Sequence, residues 1–297
     1  MIGRLLINAY IPLFDMTIRT STILFLSVII SGCTSMVAGR LADNLSNAIL
    51  SQDDPETVRQ GVPAYLLLLD SLVLQSPDDA ATLKASAALH SAYAGLFAQT
   101  PAQAQRLANK AKQQSRTALC QRQPAICKHD SRTLADFQNS LTNVSNNDIA
   151  YLYTYGTAWA TWIQANKGNW NALADLPKVE AVMLRIVAID ERYEWGRAHL
   201  YLGVINSQLP PTLGGQPEKG RAHFEQAIAI SQGQDLITKV ELARNYARIT
   251  FDKALHDQLL NEVLATTTTI KTLTLSNTLA KEAAHELLAT SAEYFEE

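Results

Sequence analysis

The side chains best equipped for chemistry in this chain are aromatic rather than catalytic. Within Asp148–Trp170, Tyr151, Tyr155, Trp159 and Trp162 recur at i, i+4, i+8 and i+11, which places them on one helical stripe. Such a stripe is most often core. Yet Tyr and Trp carry polar tips that need partners when buried, so the same stripe suits the wall of a cavity for an amphiphilic ligand. Tyr193, Trp195 and His199, near the start of a later helix, are the further candidates for that wall. At this level core and pocket both stand.

Catalytic and cofactor motifs are missing. His285-Glu286-Leu287-Leu288-Ala289 begins like a zinc-protease helix, but Ala289 stands where the second ligand is required. There is no G-x-S-x-G, no Walker loop and no G-x-G-x-x-G. Leu213-Gly214-Gly215 reads as a turn, and the six histidines are scattered singly. His90, on an apolar face, reads as a hydrogen-bonded core or rim histidine. We therefore expect no enzyme, no cofactor and no metal. A net charge of −3 with no long basic run also argues against nucleic-acid binding.

The three cysteines carry the remaining chemistry. Arg19, the apolar run Ile23–Ile30 and Ile30-Ser31-Gly32-Cys33 are similar to a bacterial lipoprotein signal. The run is too short for the ~20 residues a bilayer span needs. On that reading residues 1–32 are removed, Cys33 is diacylated, and residues 33–297 form one domain. Two acyl chains anchor stably where one does not. Thr34 after the cysteine favours the periplasmic side of the outer membrane. Met16 is an alternative start, and an uncleaved anchor or a chance cysteine is the alternative to the lipobox. Cys120 and Cys127 in an oxidising compartment read as a disulfide. A metal pair with His129 and two free thiols are the other options.

Helices must position all of this. Caps and apolar periodicity place them at 36–50, 55–74, 80–98, 102–120, 130–144, 148–170, through Val182–Asp190, 234–246, 251–265 and 273–294. Ser76 or Asp78 is expected to cap the third. No strand is expected. In Arg197–Ser231, Leu202-Gly203 in one helix and Gly220, Phe224 and Ala227 in the next resemble a tetratricopeptide (TPR) unit. The Pro/Gly-rich loop between them is about five residues longer than that family's period of about 34 residues allows. The fold class is thus all-α, built of degenerate TPR-like helical hairpins.

A broader resemblance covers about residues 33–295. The lipobox, DDPETVRQGVPAYLLLLDSLVLQSPDD, the Trp159/Trp162 helix, ALADLPKVEA, LGGQPEKGRAHFEQAIAIS and VELARNYA resemble the T component of TRAP transporters (tripartite ATP-independent periplasmic transporters). That resemblance implies a periplasmic lipoprotein of helical hairpins, held to the membrane by its anchor. It also implies a homotrimer, a cavity for a small hydrophobic or organic-acid solute, and partnership with a periplasmic solute-binding protein. A scaffold that binds protein segments and no small molecule is the competing expectation.

Overall fold

The computed structural model describes residues 46–295 apart from 130–132, 210, 214, 268 and 269. The lipobox, Cys33 and most of the helix expected over 36–50 lie outside the described residues. The chain divides between Ile49 and Leu50 into two units, and 46–49 of the first are helical. The second unit, Leu50–Glu297, carries the helical body. No strand occurs among its described residues, and no described helix is long and apolar enough to cross a membrane.

Side-chain caps start the helices by taking up amide donors that have no intrahelical partner. Asp54 accepts from the Glu56 amide at 3.0 Å and opens α1, Pro55–Gln75, whose proline needs no donor at that position. Asp79, and neither Ser76 nor Asp78, accepts from the Thr82 amide at 2.8 Å and opens α2, Ala80–Leu96. Thr100 does the same for α3, Pro101–Arg122. Pro63 lies inside α1 and cannot donate to the Arg59 carbonyl. That carbonyl is satisfied from outside, by the Tyr93 hydroxyl of α2 at 3.1 Å.

The short helix expected over 130–144 is α5, Leu134–Leu141, and a further short helix, α4 (Pro124–His129), precedes it. The aromatic helix is α6, Ile149–Ala165, followed by α7, Trp170–Leu173, and α8, Leu176–Asp190. Then come α9, Arg197–Asn206, and α10, Pro217–Ile230. The helix expected over 234–246 is α11, Ile237–Glu241, running directly into a π-helical stretch, Leu242–Ala247. α12 (Lys253–Ala265), α13 (Thr274–Ala289) and α14 (Ser291–Tyr294) close the chain.

Two apolar clusters result. One gathers Leu119, Phe137, Leu152, Tyr155, Trp159, Val182 and Met183; the other gathers Leu200, Phe224, Val240, Leu260, Ala280 and Ala284. α9 serves both, because Ala198 and Leu202 enter the first while Leu200 enters the second. Small residues set how closely α9 and α10 approach. A Cβ on Gly203 would sit 2.7 Å from the Phe224 ring, and one on Gly220 would sit 2.1 Å from the Ser207 hydroxyl.

Candidate functional site

The aromatic stripe on α6 divides. Tyr155 and Trp159 are buried in the first apolar cluster. Their rings are 5.0 Å apart, and Phe137 meets Trp159 edge-on at 5.9 Å. The Trp159 indole N–H donates to Asp175 Oδ2 at 2.9 Å, and Lys112 Nζ reaches the same oxygen at 3.3 Å. Lys112 Nζ also lies 3.4 Å from the centroid of the half-buried Trp162. Tyr151 is flanked at 5.3 Å by both Lys84 and Arg122. The Trp159 indole N–H and the ring faces of Tyr151, Trp159 and Trp162 are engaged by the protein itself, and the structure places Trp159 among core residues.

The second group of candidates lies at the bend between α8 and α9. Glu194 (φ 49°, ψ 50°), Trp195 (φ 62°, ψ 22°) and Gly196 (φ 75°, ψ 19°) are three consecutive left-handed residues. Glycine adopts this conformation freely; for Glu194 and Trp195 it costs about 1–2 kcal/mol each. Flanking contacts hold the bend in place. Arg197 makes a two-pronged ion pair with Asp235, at 2.8 and 2.9 Å, and also donates to Ser276 Oγ at 3.1 Å. Tyr193 packs edge-on against Tyr153 at 5.4 Å. Position 196 suits glycine twice over, since a Cβ there would also be 3.0 Å from the Ile230 side chain.

One side of the bend borders an open groove of about 450 Å³ lined by Arg192, Glu194, Trp195 and Ile230. On the other, Tyr153 of α6 and Tyr201 of α9 lie within electrostatic reach of Arg197, and Tyr193 of the bend packs on Tyr153. All three tyrosines are half-buried. Burial pushes the Tyr153 hydroxyl well above the usual tyrosine range, Tyr193 up to about 12, and Tyr201 upward against the opposing Arg197 charge. They are therefore neutral donors at physiological pH. None of the three hydroxyls makes a hydrogen bond with the described residues, whereas Tyr93, Tyr246 and Tyr294 each do. Burial works against the Arg197 charge too, but its hydrogen bonds and ion pair with Asp235 hold it firmly protonated.

Glu241 faces the same region from the end of α11, as its charge is felt at Tyr201. Burial raises its carboxyl, with Arg244 and Asn245 opposing. It immediately precedes the π-helical stretch, a widened turn that often marks functional sites. The arrangement offers hydroxyl donors beside a fixed cation. It contains no nucleophile–base pair, and no cluster of three metal-ligating side chains occurs among the described residues.

His199 belongs to neither side. It is buried, with Nδ1 2.9 Å from Nδ1 of His223, tying α9 to α10. Burial lowers both imidazoles, with Glu191 opposing at His199 and the neighbouring His199 and Lys219 reinforcing at His223. Of the seven aromatic and histidine candidates, only Trp195 lines the groove and only Tyr193 joins the tyrosine cluster. Sequence reasoning misses Tyr153, Tyr201, Arg197 and Asp235. Tyr153 and Tyr201 lie off the stripes that periodicity picks out, and no periodicity encodes a left-handed Glu-Trp. Elsewhere, Cys120 and Cys127 are joined as a disulfide with Cα atoms 5.7 Å apart. His90 is a buried histidine, its Nδ1 2.8 Å from the Ser86 carbonyl oxygen.

Comparison with known proteins adds one match. The family model described as TRAP transporter T-component covers residues 51–295. No curated protein matches the chain.

Proposed function

The chain belongs to the TRAP transporter T-component family, and from that membership we propose that it is a non-enzymatic envelope lipoprotein that holds a small solute for a TRAP transporter. The family itself supplies the accessory transport role. The carrying observation for solute binding is the set of three tyrosine hydroxyls, Tyr153, Tyr193 and Tyr201. They have no hydrogen-bond partner among the described residues; Tyr153 and Tyr201 stand beside Arg197, and Tyr193 packs on Tyr153. Donors open to water beside a fixed cation need an acceptor once that water is displaced. An acceptor-rich solute with an apolar body answers that need, and the open groove at Trp195 is the natural approach from the periplasmic solute-binding protein.

Cys33 is the proposed anchor to the periplasmic face of the outer membrane, with residues 1–32 removed. An oxidising compartment agrees with a bridged Cys120–Cys127 pair. The Gly203–Phe224 packing supports TPR-like hairpins, and the exposed Leu67, Leu68, Leu72 and Leu74 of α1 offer a surface for assembly as a trimer. The scaffold reading keeps one observation in its favour: the groove at Trp195 is open enough for a protein segment.

The test begins with the solute released when protein purified from the cells that make it is denatured. Rebinding should weaken at least about tenfold in the double variant Tyr153→Phe/Tyr201→Phe, the scale of one or two lost hydrogen bonds. Melting should be unchanged. Equal affinity in the two proteins refutes a tyrosine-lined solute site.

A further inference from the structure

Trp170 is the tryptophan that the fold leaves uncovered. It is 84% exposed, whereas Trp159 is buried and Trp162 and Trp195 are half-buried. Among the described residues no ring, cation or hydrogen-bond partner engages its indole. Its place is nevertheless fixed. The Asn169 amide closes a turn on the Asn166 carbonyl at 2.8 Å, and the Asn169 side chain accepts from the Asn171 amide at 3.0 Å.

The end of the helical body that carries Trp170 is also the end where the chain enters it. The Tyr93 hydroxyl, in the last turn of α2, is bonded to the Arg59 carbonyl near the start of α1. Ser91 of α2 donates to Thr161 of α6 at 3.0 Å, and Gln105, near the start of α3, donates to the Ala165 carbonyl that ends α6. The start of α1, the turn from α2 to α3 and the turn from α6 to α7 therefore share one end. Leu96, 56% exposed, stands at the second of these places and Trp170 at the third. Leu74, as exposed as Trp170, lies at the far end of α1, about 30 Å away along a 21-residue helix.

We propose that this end rests on the bilayer, with Trp170 and Leu96 seated among the lipid headgroups. The proposal rests on the Cys33 anchor. The stretch from Cys33 to Leu50 spans at most about 60 Å even fully extended. A lipid at Cys33 thus holds this end near the membrane and makes any further lipid contact intramolecular, so that weak contacts suffice. Tryptophan suits the headgroup layer because it joins a large apolar ring to one polar N–H. Charge does not drive the contact, since Asp53, Asp54 and Glu56 offset Arg59, Arg106 and Lys167 at the same end. Two apolar tips at one end of the body match a flat surface.

For the test, the chain 33–297 is coupled through Cys33 to a maleimide lipid in vesicles of phosphatidylethanolamine and phosphatidylglycerol. Cys33 is the one cysteine outside the Cys120–Cys127 bridge, so coupling is specific. Lipid carrying a doxyl quencher high on its acyl chain should quench the parent's tryptophan emission, in low and high salt alike. Trp170→Ala should abolish the quenching, Leu96→Asp should weaken it, and Leu74→Asp should match the parent. All three side chains are exposed, so the fold should survive each change. Because the tether is synthetic, the result does not depend on cells acylating Cys33, which is read separately from the fractionation of Cys33→Ser. Three results overturn the proposal: an unquenched parent, full quenching in Trp170→Ala, or Trp170 emission that responds to protein concentration and not to lipid, which would assign the tip to a second copy of the chain.

Discussion

The aromatic helix α6 and the bend between α8 and α9 contain the same kinds of side chain and use them in opposite ways. On α6, Trp159 gives its indole N–H to Asp175, Lys112 covers the face of Trp162, and the backbone is regular helix. At the bend, the hydroxyls of Tyr153, Tyr193 and Tyr201 find no partner among the described residues, and Glu194 and Trp195 sit in a conformation that costs energy. The face of α6 that carries Trp159 is finished as structure, although Tyr153 of the same helix turns to the bend. The bend, whose donors are open and whose backbone is strained, is where we propose that the solute binds. Aromatic density therefore says little about function here; the satisfaction of each polar tip says more.

The largest effect expected from this contrast is on stability at α6. Trp159→Ala should cost roughly 3–5 kcal/mol, because the emptied volume is enclosed by Phe137 and Tyr155 and the Asp175–Lys112 pair loses its indole donor. Urea unfolding measures it directly. A loss below about 1 kcal/mol would mean the indole is not core, and the two regions would no longer differ.

Gly203→Ala comes next. Its Cβ would press on the Phe224 ring at 2.7 Å, and overpacking of this kind costs about 1–3 kcal/mol. Should the variant melt with the parent, α9 and α10 have room to separate and the close packing of the hairpin is not obligatory.

At the bend the sign reverses. Glu194→Gly should raise stability by about 1 kcal/mol, since glycine takes a positive φ without the penalty paid by other residues. The same change should weaken solute binding by loosening Tyr193 and Trp195. A destabilised Glu194→Gly protein would show that the glutamate makes a contact worth more than the strain.

The smallest expected effect is on pH dependence. Burial holds His199 and His223 below the ordinary histidine range, so the unfolded chain binds protons that the fold resists. Their contribution is unimpaired above the unfolded value near 6.5 and is eroded as pH falls below it. Between pH 7.5 and 5.5 the melting temperature should fall about 2–4 °C further in the parent than in His223→Gln. Parallel pH profiles would mean that the pair adds nothing to the acid sensitivity of the fold.

Much of this architecture can be read from residue order. Asp54-Pro55 and Thr100-Pro101 mark real helix starts because caps and N1 prolines act locally. Gly203, Gly220, Phe224 and Ala227 mark a close helix pair because small residues opposite an aromatic have few other uses. Asp79 escapes by one position, since any of several adjacent polar residues can serve as a cap. The widened turn at Leu242–Ala247 and the second short helix at Pro124–His129 are not legible. Both depend on contacts outside their own segment. The site is the least legible part. Tyr153 and Tyr201 come from different helices, and only the tertiary fold sets them beside Arg197, itself fixed by an aspartate thirty-eight residues away.

The most direct test compares the two regions by their own fluorescence. Two single-tryptophan proteins, one keeping Trp195 and the other Trp159 with the remaining three as Phe, are titrated with the solute recovered from the parent. A solute seated at the bend predicts a saturable change in Trp195 emission, at the concentration that half-saturates the parent, and a silent Trp159. A response confined to Trp159 would place the solute in the aromatic core and contradict the bend as its site.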